Sequence, residues 1–100
     1  MGLFSKNDIN DGIAEYQNTP GAILVDVRES SEYLSGHIPG AVNLPLSRIR
    51  EIDADLDTPI FVHCLRGPRA AKAADVLRLM DYENVKRIGG IAAYKGVLEK

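Results

Sequence analysis

The chain contains one cysteine, Cys64, placed where the apolar run Ile60-Phe61-Val62-His63 gives way to Leu65-Arg66-Gly67-Pro68-Arg69 and then to an alanine-rich stretch. A thiol at a strand-to-helix turn lies under backbone N–H groups and the positive end of a helix dipole, and both favour the thiolate over the thiol. Arg66 and Arg69 add two guanidinium charges close by. A buried structural cysteine is the commonest fate of a free Cys, but it needs neither a glycine nor an arginine pair beside it. Cys64 is therefore read as a nucleophile, with the loop from Leu65 to Arg69 as its binding cradle. Arg69 offers a planar fork for an oxyanion from the first turn of a helix. Arg66 has two readings, a second anion ligand or a solvated rim charge.

The other chemically capable side chains carry less. Asp26 ends an apolar run, and ligand sites of open α/β sheets lie at the carboxyl ends of strands, so it has two readings, a border of the pocket or a structural role. Arg28 and Glu32 are read as an ion pair fixing the loop after that strand. His37 stands beside Ile38-Pro39-Gly40, where pinning a turn by hydrogen bonds accounts for it better than proton shuttling. His63 directly precedes Cys64 in a strand, so its side chain points to the opposite face and it is not assigned as a general base.

Composition narrows the classes. One hundred residues suffice for a single domain, 1–100, with its own core. With one cysteine and two histidines, the chain has no intramolecular disulfide and no thiolate-based zinc set; neither a metal nor a cofactor is expected. Lys plus Arg is 12 against 14 for Asp plus Glu, a net charge of −2, which gives no global attraction to nucleic acid or anionic lipid. Met1 to Lys6 lacks a basic leader, and no apolar run approaches the ~18 residues of a membrane span. The expectation is a cytoplasmic protein, since an unpaired reactive thiol suits a reducing compartment.

Strand-like and helix-like segments alternate along the chain, the pattern of an α/β fold with a mostly parallel sheet. Ile9, Ile13 and Tyr16 predict a first helix, beginning near Asp8 or capped by Asn10 and weakened by Gly12. Ala22 to Val27 reads as a central strand buried on both faces. Ser30 is expected to cap a short helix that Gly36 ends in a left-handed conformation. Ala41 to Leu44 predicts a short strand, and Ser47 the start of a one- or two-turn helix. After the strand ending at Cys64, Ala70, Ala73, Ala74 and Leu77 follow helical spacing from Arg69 to Met80, with Pro68 in the first turn. Val85 to Ile88 predicts a last strand, Gly89-Gly90 a tight loop, and Ile91 to Leu98 a closing helix. That makes four or five strands with helices on both faces.

Several stretches together resemble the rhodanese family of sulfurtransferases from about Ile9 onward. Asp26-Val27-Arg28-Glu29, Glu32-Tyr33, Gly36-His37-Ile38-Pro39-Gly40-Ala41 and Asn43-Leu44-Pro45 match its amino-terminal signature in order and spacing. Cys64 with Gly67 and Arg69 matches the active loop, and Asp81-Tyr82-Glu83-Asn84-Val85 followed by Gly89-Gly90 matches the carboxy-terminal end. The resemblance implies a five-stranded parallel sheet and a cysteine that becomes a persulfide. It also implies a small anionic sulfur donor such as thiosulfate, and transfer of the sulfur to cyanide, a thiol or a carrier protein. Cysteine-dependent phosphatases place their arginine six residues after the nucleophile, where this chain has Ala70. The arginine at +5 closes a tighter ring, suited to a sulfur atom rather than a phosphoryl group.

Four positions depart from the family pattern. Pro68 removes an N–H from the cradle, and Ala70 replaces a common hydroxyl residue. Asp81 stands in place of a glycine, and Tyr94 in place of a tryptophan. The alternative readings are a non-catalytic docking or regulatory module and, less well supported by loop length, a phosphatase or arsenate reductase.

Overall fold

A computed structural model describes residues 8–100. The portion of the expected domain before Asp8, including the leader reading at Met1 to Lys6, lies outside the described residues. Four strands, β1 (Ile23–Asp26), β2 (Ala41–Asn43), β3 (Ile60–Cys64) and β4 (Val85–Gly90), form one parallel sheet in the order β2-β1-β3-β4. Three α-helices, α1 (Ile9–Gln17), α2 (Ser30–Ser35) and α3 (Pro68–Leu79), and two 3-10 segments, Leu46–Glu51 and Ile91–Ala93, complete the described chain. None of these helices is long and apolar enough to cross a membrane.

Period-two alternation in the strands sorts side chains to the two faces. Val25, Ile60, Val62 and Cys64 pack with Ala70, Ala73, Ala74 and Leu77 of α3, while Leu24, Phe61 and Ile88 pack with Ile9 and Ile13 of α1. The alanines leave α3 without bulk toward the sheet, which brings its first turn close to the end of β3. The chain runs from β1 outward to β2 and then returns to place β3 on the other side of β1. That reversal makes the carboxyl ends of β1 and β3, at Asp26 and Cys64, the natural crevice of the sheet.

Asp8 caps α1, its Oδ1 accepting the Asn10 N–H at 2.9 Å. The Asn10 side chain instead ties down the far end of the chain, donating to the Ala93 carbonyl at 3.0 Å and accepting the Lys95 N–H at 2.9 Å. At α2 the cap is Glu29 rather than Ser30, because Glu32 Oε1 reaches back to the Glu29 N–H at 2.9 Å and completes a capping box. Gly36 ends that helix with φ 157° and ψ 132°, not in the left-handed helical region. The segment expected to start at Ser47 is a 3-10 helix starting at Leu46.

Two expectations near the carboxyl end fail for one reason. Gly89 and Gly90 belong to β4 rather than to a loop, and the closing helix is only the 3-10 turn Ile91–Ala93. Gly90 pairs with Cys64, and the Ala92 N–H donates to the Leu65 carbonyl at 3.0 Å, so the chain continues along the active loop instead of coiling away from it. Beyond it, Glu99 and His37 exchange backbone hydrogen bonds of 2.8 Å in an antiparallel bridge. A Cβ on Gly90 would collide with the Leu65 carbonyl oxygen and the Arg66 Cα, which are backbone atoms that cannot rotate aside. Gly90→Ala is therefore expected to destabilise the protein by about 1–3 kcal/mol, the usual cost of overpacking, read as a lowered denaturant midpoint. An unchanged midpoint would contradict this packing.

Candidate active site

Cys64 ends β3 and is 1% exposed, and its Sγ accepts the Gly67 N–H at 3.0 Å. The loop curls back over the sulfur because Gly67 takes φ 120°, a conformation open to glycine and strained for other residues. Pro68 then occupies the first position of α3, where its fixed φ suits the helix and its missing N–H is one that a helix start leaves unpaired in any case. The first helical bond, Ala71 N–H to the Gly67 carbonyl at 3.0 Å, sets the axis of α3 so that its positive end faces the loop.

The two loop arginines are used differently. Arg69 makes a bidentate ion pair with Glu32 of α2, with Nη1 donating to Oε1 at 2.7 Å and Nη2 to Oε2 at 3.1 Å. That bond to Arg69 is the main reason the Glu32 carboxyl is held down to about 2 from an ordinary 4.5. The fork expected to face an oxyanion is thus engaged by a carboxylate. Arg66 is exposed and, among the described residues, has no ion-pair partner, so it is the guanidinium left available at the loop.

The expected Arg28–Glu32 pair is not formed. Arg28 turns inward to Asp26, with Nη2 donating to Oδ2 at 2.8 Å and Nε to Oδ1 at 3.0 Å, and a further 2.8 Å bond runs from Nη2 to the Gly36 carbonyl. The cause is burial. Asp26 is fully enclosed and needs a counter-charge, which leaves Glu32 to Arg69. Of the two readings of Asp26, its contacts are those of the structural one. His63 points to the face opposite Cys64, with Nε2 3.8 Å from Asp26 Oδ2 and Nδ1 3.2 Å from the Cys64 carbonyl oxygen. Burial pushes its pKa down, outweighing the opposing pull of Asp26. His37 stacks on Tyr33, with ring centroids 3.9 Å apart, and its Nδ1 lies 3.1 Å from the Tyr33 carbonyl oxygen, so its contacts are those of a turn pin.

A cavity of about 510 Å³ opens beside the loop, walled by Leu65, Arg66, Gly67 and Pro68 on one side and by Arg87, Gly89 and Gly90 of β4 on the other. Arg87 is a cavity-lining residue that the sequence reading did not single out. It stands among exposed charges in an ordinary strand pattern, and its only signal is its nearness to the carboxyl end of a strand in a fold that places ligands there. Of the departures from the family pattern, Asp81 adopts φ 75°, the left-handed conformation open to Asp as to glycine. Ala70 is fully buried under the loop, and Tyr94 packs against the α1 side of the core.

The sequence matches the rhodanese-like domain profile over residues 10–96, and the chain belongs to that family. It is 38% identical over 72 residues to the thiosulfate sulfurtransferase GlpE of Pseudomonas entomophila, an alignment covering 70% of this chain and 66% of that one. It is 41% identical over 59 residues to the protein YqhL of Bacillus subtilis, covering 57% and 47% of the two chains. The chain thus spans about half to two thirds of the length of these relatives. A solved rhodanese with anions from E. coli superposes with a TM-score of 0.73 at 29% identity, covering 79% of this chain and 98% of that one.

The Arg69–Glu32 pair makes a pH-dependent contribution whose sign follows from the lowered carboxyl. It is complete above the unfolded value of 4.5 and is lost as pH falls through about 2. Both partners are about a third exposed, so screening limits the effect to about 1 kcal/mol or less. The stability difference between wild type and Glu32→Gln, from denaturant melts, is expected to shrink between those two pH values. A difference that is constant with pH would contradict the pairing.

Proposed function

We propose that the chain is a thiosulfate sulfurtransferase working through a persulfide on Cys64. The observation that carries the reading is the Gly67 N–H aimed at Sγ from the start of α3, a loop that stabilises a sulfur anion on Cys64. The Cys64 thiolate attacks the sulfane sulfur of thiosulfate, the donor's S–S bond breaks, and sulfite leaves with the bonding pair. Arg66 steadies the departing anion. Arg69 holds the loop's helix to α2 through Glu32 and so acts as a positioning residue. The outer sulfur then passes to cyanide, a thiol or a sulfur-carrier protein, and the thiolate is restored. The similarity to a protein named as a thiosulfate sulfurtransferase supports the donor class, and a thiol with no disulfide partner in the chain suits a reducing, cytoplasmic setting.

Cys64→Ser is expected to abolish thiosulfate:cyanide sulfur transfer. Arg66→Ala should lower kcat/KM for thiosulfate roughly tenfold, the scale of one hydrogen bond to a charged group, and by more than Arg69→Ala does. Thiocyanate formation from cyanide measures both. Turnover by the serine variant would overturn Cys64 as the sulfur carrier, and a larger loss from Arg69→Ala would reverse the roles given to the two arginines.

A further inference from the structure

We propose that His63 is a positioning residue for the active loop, its Nδ1–H holding the Cys64 carbonyl and, through the planar Cys64–Leu65 peptide, the Leu65 N–H with which the loop begins. The inference deepens the sulfurtransferase reading and rests on it for the chemistry that the loop serves. His63 points to the face opposite the sulfur and touches no reacting atom, so its role runs through the backbone.

The surroundings of the ring decide where its proton sits. His63 is fully buried, and burial lowers its pKa, so the ring is neutral near pH 7 and one nitrogen donates while the other accepts. Nδ1 lies 3.2 Å from the Cys64 carbonyl oxygen, which can only accept. Nε2 has no hydrogen-bond partner among the described residues. Asp26 Oδ2, 3.8 Å from it, is also an acceptor and lies beyond hydrogen-bond reach. That carboxylate is already held by Arg28 through Nε, Nη2 and the backbone N–H. A proton on Nε2 would leave two lone pairs facing each other across 3.2 Å, whereas a proton on Nδ1 makes a bond. A buried nitrogen without a partner costs stability, and an apolar side chain of similar size would avoid that cost. What the imidazole adds here is the bond from its other nitrogen.

The sheet leaves this point of β3 in need of that bond. Val62 pairs with Arg87 and Cys64 with Gly90, so His63 stands opposite two residues, Ile88 and Gly89, and Gly89 has φ 101°. A bulge of this kind interrupts the hydrogen-bond ladder, and the side-chain bond restrains the backbone where regular pairing lapses. The peptide after Cys64 is trans, so its N–H points away from its C=O. Holding the carbonyl on the His63 side turns the Leu65 N–H the other way, and two residues later the Gly67 N–H comes within 3.0 Å of Sγ. With the carbonyl released, the peptide can rotate and the loop amides lose their fixed direction, which is what stabilising a sulfur anion requires.

The test begins with wild-type protein carrying nitrogen-labelled histidine. Long-range proton–nitrogen spectra are expected to place the His63 proton on Nδ1, and a proton on Nε2 overturns the assignment. It continues with His63→Leu, which has no donor, and His63→Asn, whose amide nitrogen stands as many bonds from Cβ as Nδ1 does. The readouts, at one pH, are the iodoacetamide alkylation rate of Cys64 and the single-turnover rate of persulfide formation from thiosulfate. His63→Leu is expected to lower both about tenfold, equivalent to ~1.4 kcal/mol and the scale of one hydrogen bond, and His63→Asn to recover most of the loss. Wild-type rates in His63→Leu, or rates in His63→Asn as low as in His63→Leu, overturn the proposal. Where a variant does not fold, the wild-type spectrum decides. Wild-type protein that forms no persulfide overturns the sulfurtransferase reading, and the alkylation rates then decide the positioning role on their own.

Discussion

The return of the chain over its own sulfur, with the Gly67 N–H on Cys64 Sγ at 3.0 Å, is the constraint on which the rest of the site depends. It requires β3 to end at residue 64, a glycine with positive φ three residues later, and a helix that starts at once with its amino end toward the thiol. Each requirement has a local cause. Pro68 sets the first helical position, the alanines at 70, 73 and 74 let α3 lie close to the sheet, and Gly90 lets the end of β4 press against the back of the loop. A Cβ at Gly90 would meet the Leu65 and Arg66 backbone and displace the loop that carries this amide.

Electrostatics holds the frame around that loop with two ion pairs of different character. Asp26 and Arg28 are buried at the end of β1, and Arg28 also satisfies the Gly36 carbonyl, so the pair clamps the crossover from β1 to β2. Removing one partner of such a buried pair typically costs ~3–5 kcal/mol because a charge is left stranded. Arg69 and Glu32 are partly exposed and contribute less to stability, but they join α3 to α2.

Much of this was legible in the sequence, for physical reasons that can be named. Apolar runs of strand length identified β1 and β3, and the alanine spacing identified α3, because buried faces dictate periodicity. The candidate site at Cys64 was legible because thiol, glycine and arginines fall within one short loop. Partner choice was not. Arg28 and Glu32 stand at a spacing that suits an ion pair, yet Asp26 is the fully buried carboxylate, and burial is a tertiary property that local spacing does not carry. The carboxyl end was misjudged in the same way. Residues 91 to 98 have helical composition, but hydrogen bonds with Asn10, Leu65 and, just beyond the segment, between Glu99 and His37 tie this end to the rest of the fold, and only the 3-10 turn Ile91–Ala93 forms. Arg87 drew little notice because the cavity it lines forms between elements distant in the chain.

The central claim is that this loop stabilises a sulfur atom carried on Cys64. Its most direct test is intact-mass and peptide mass spectrometry of the protein after brief exposure to thiosulfate, without reductant. The account predicts one added sulfur atom, localised to the peptide containing Cys64 and released again by cyanide. No added mass, or sulfur found on a peptide that lacks Cys64, would contradict it.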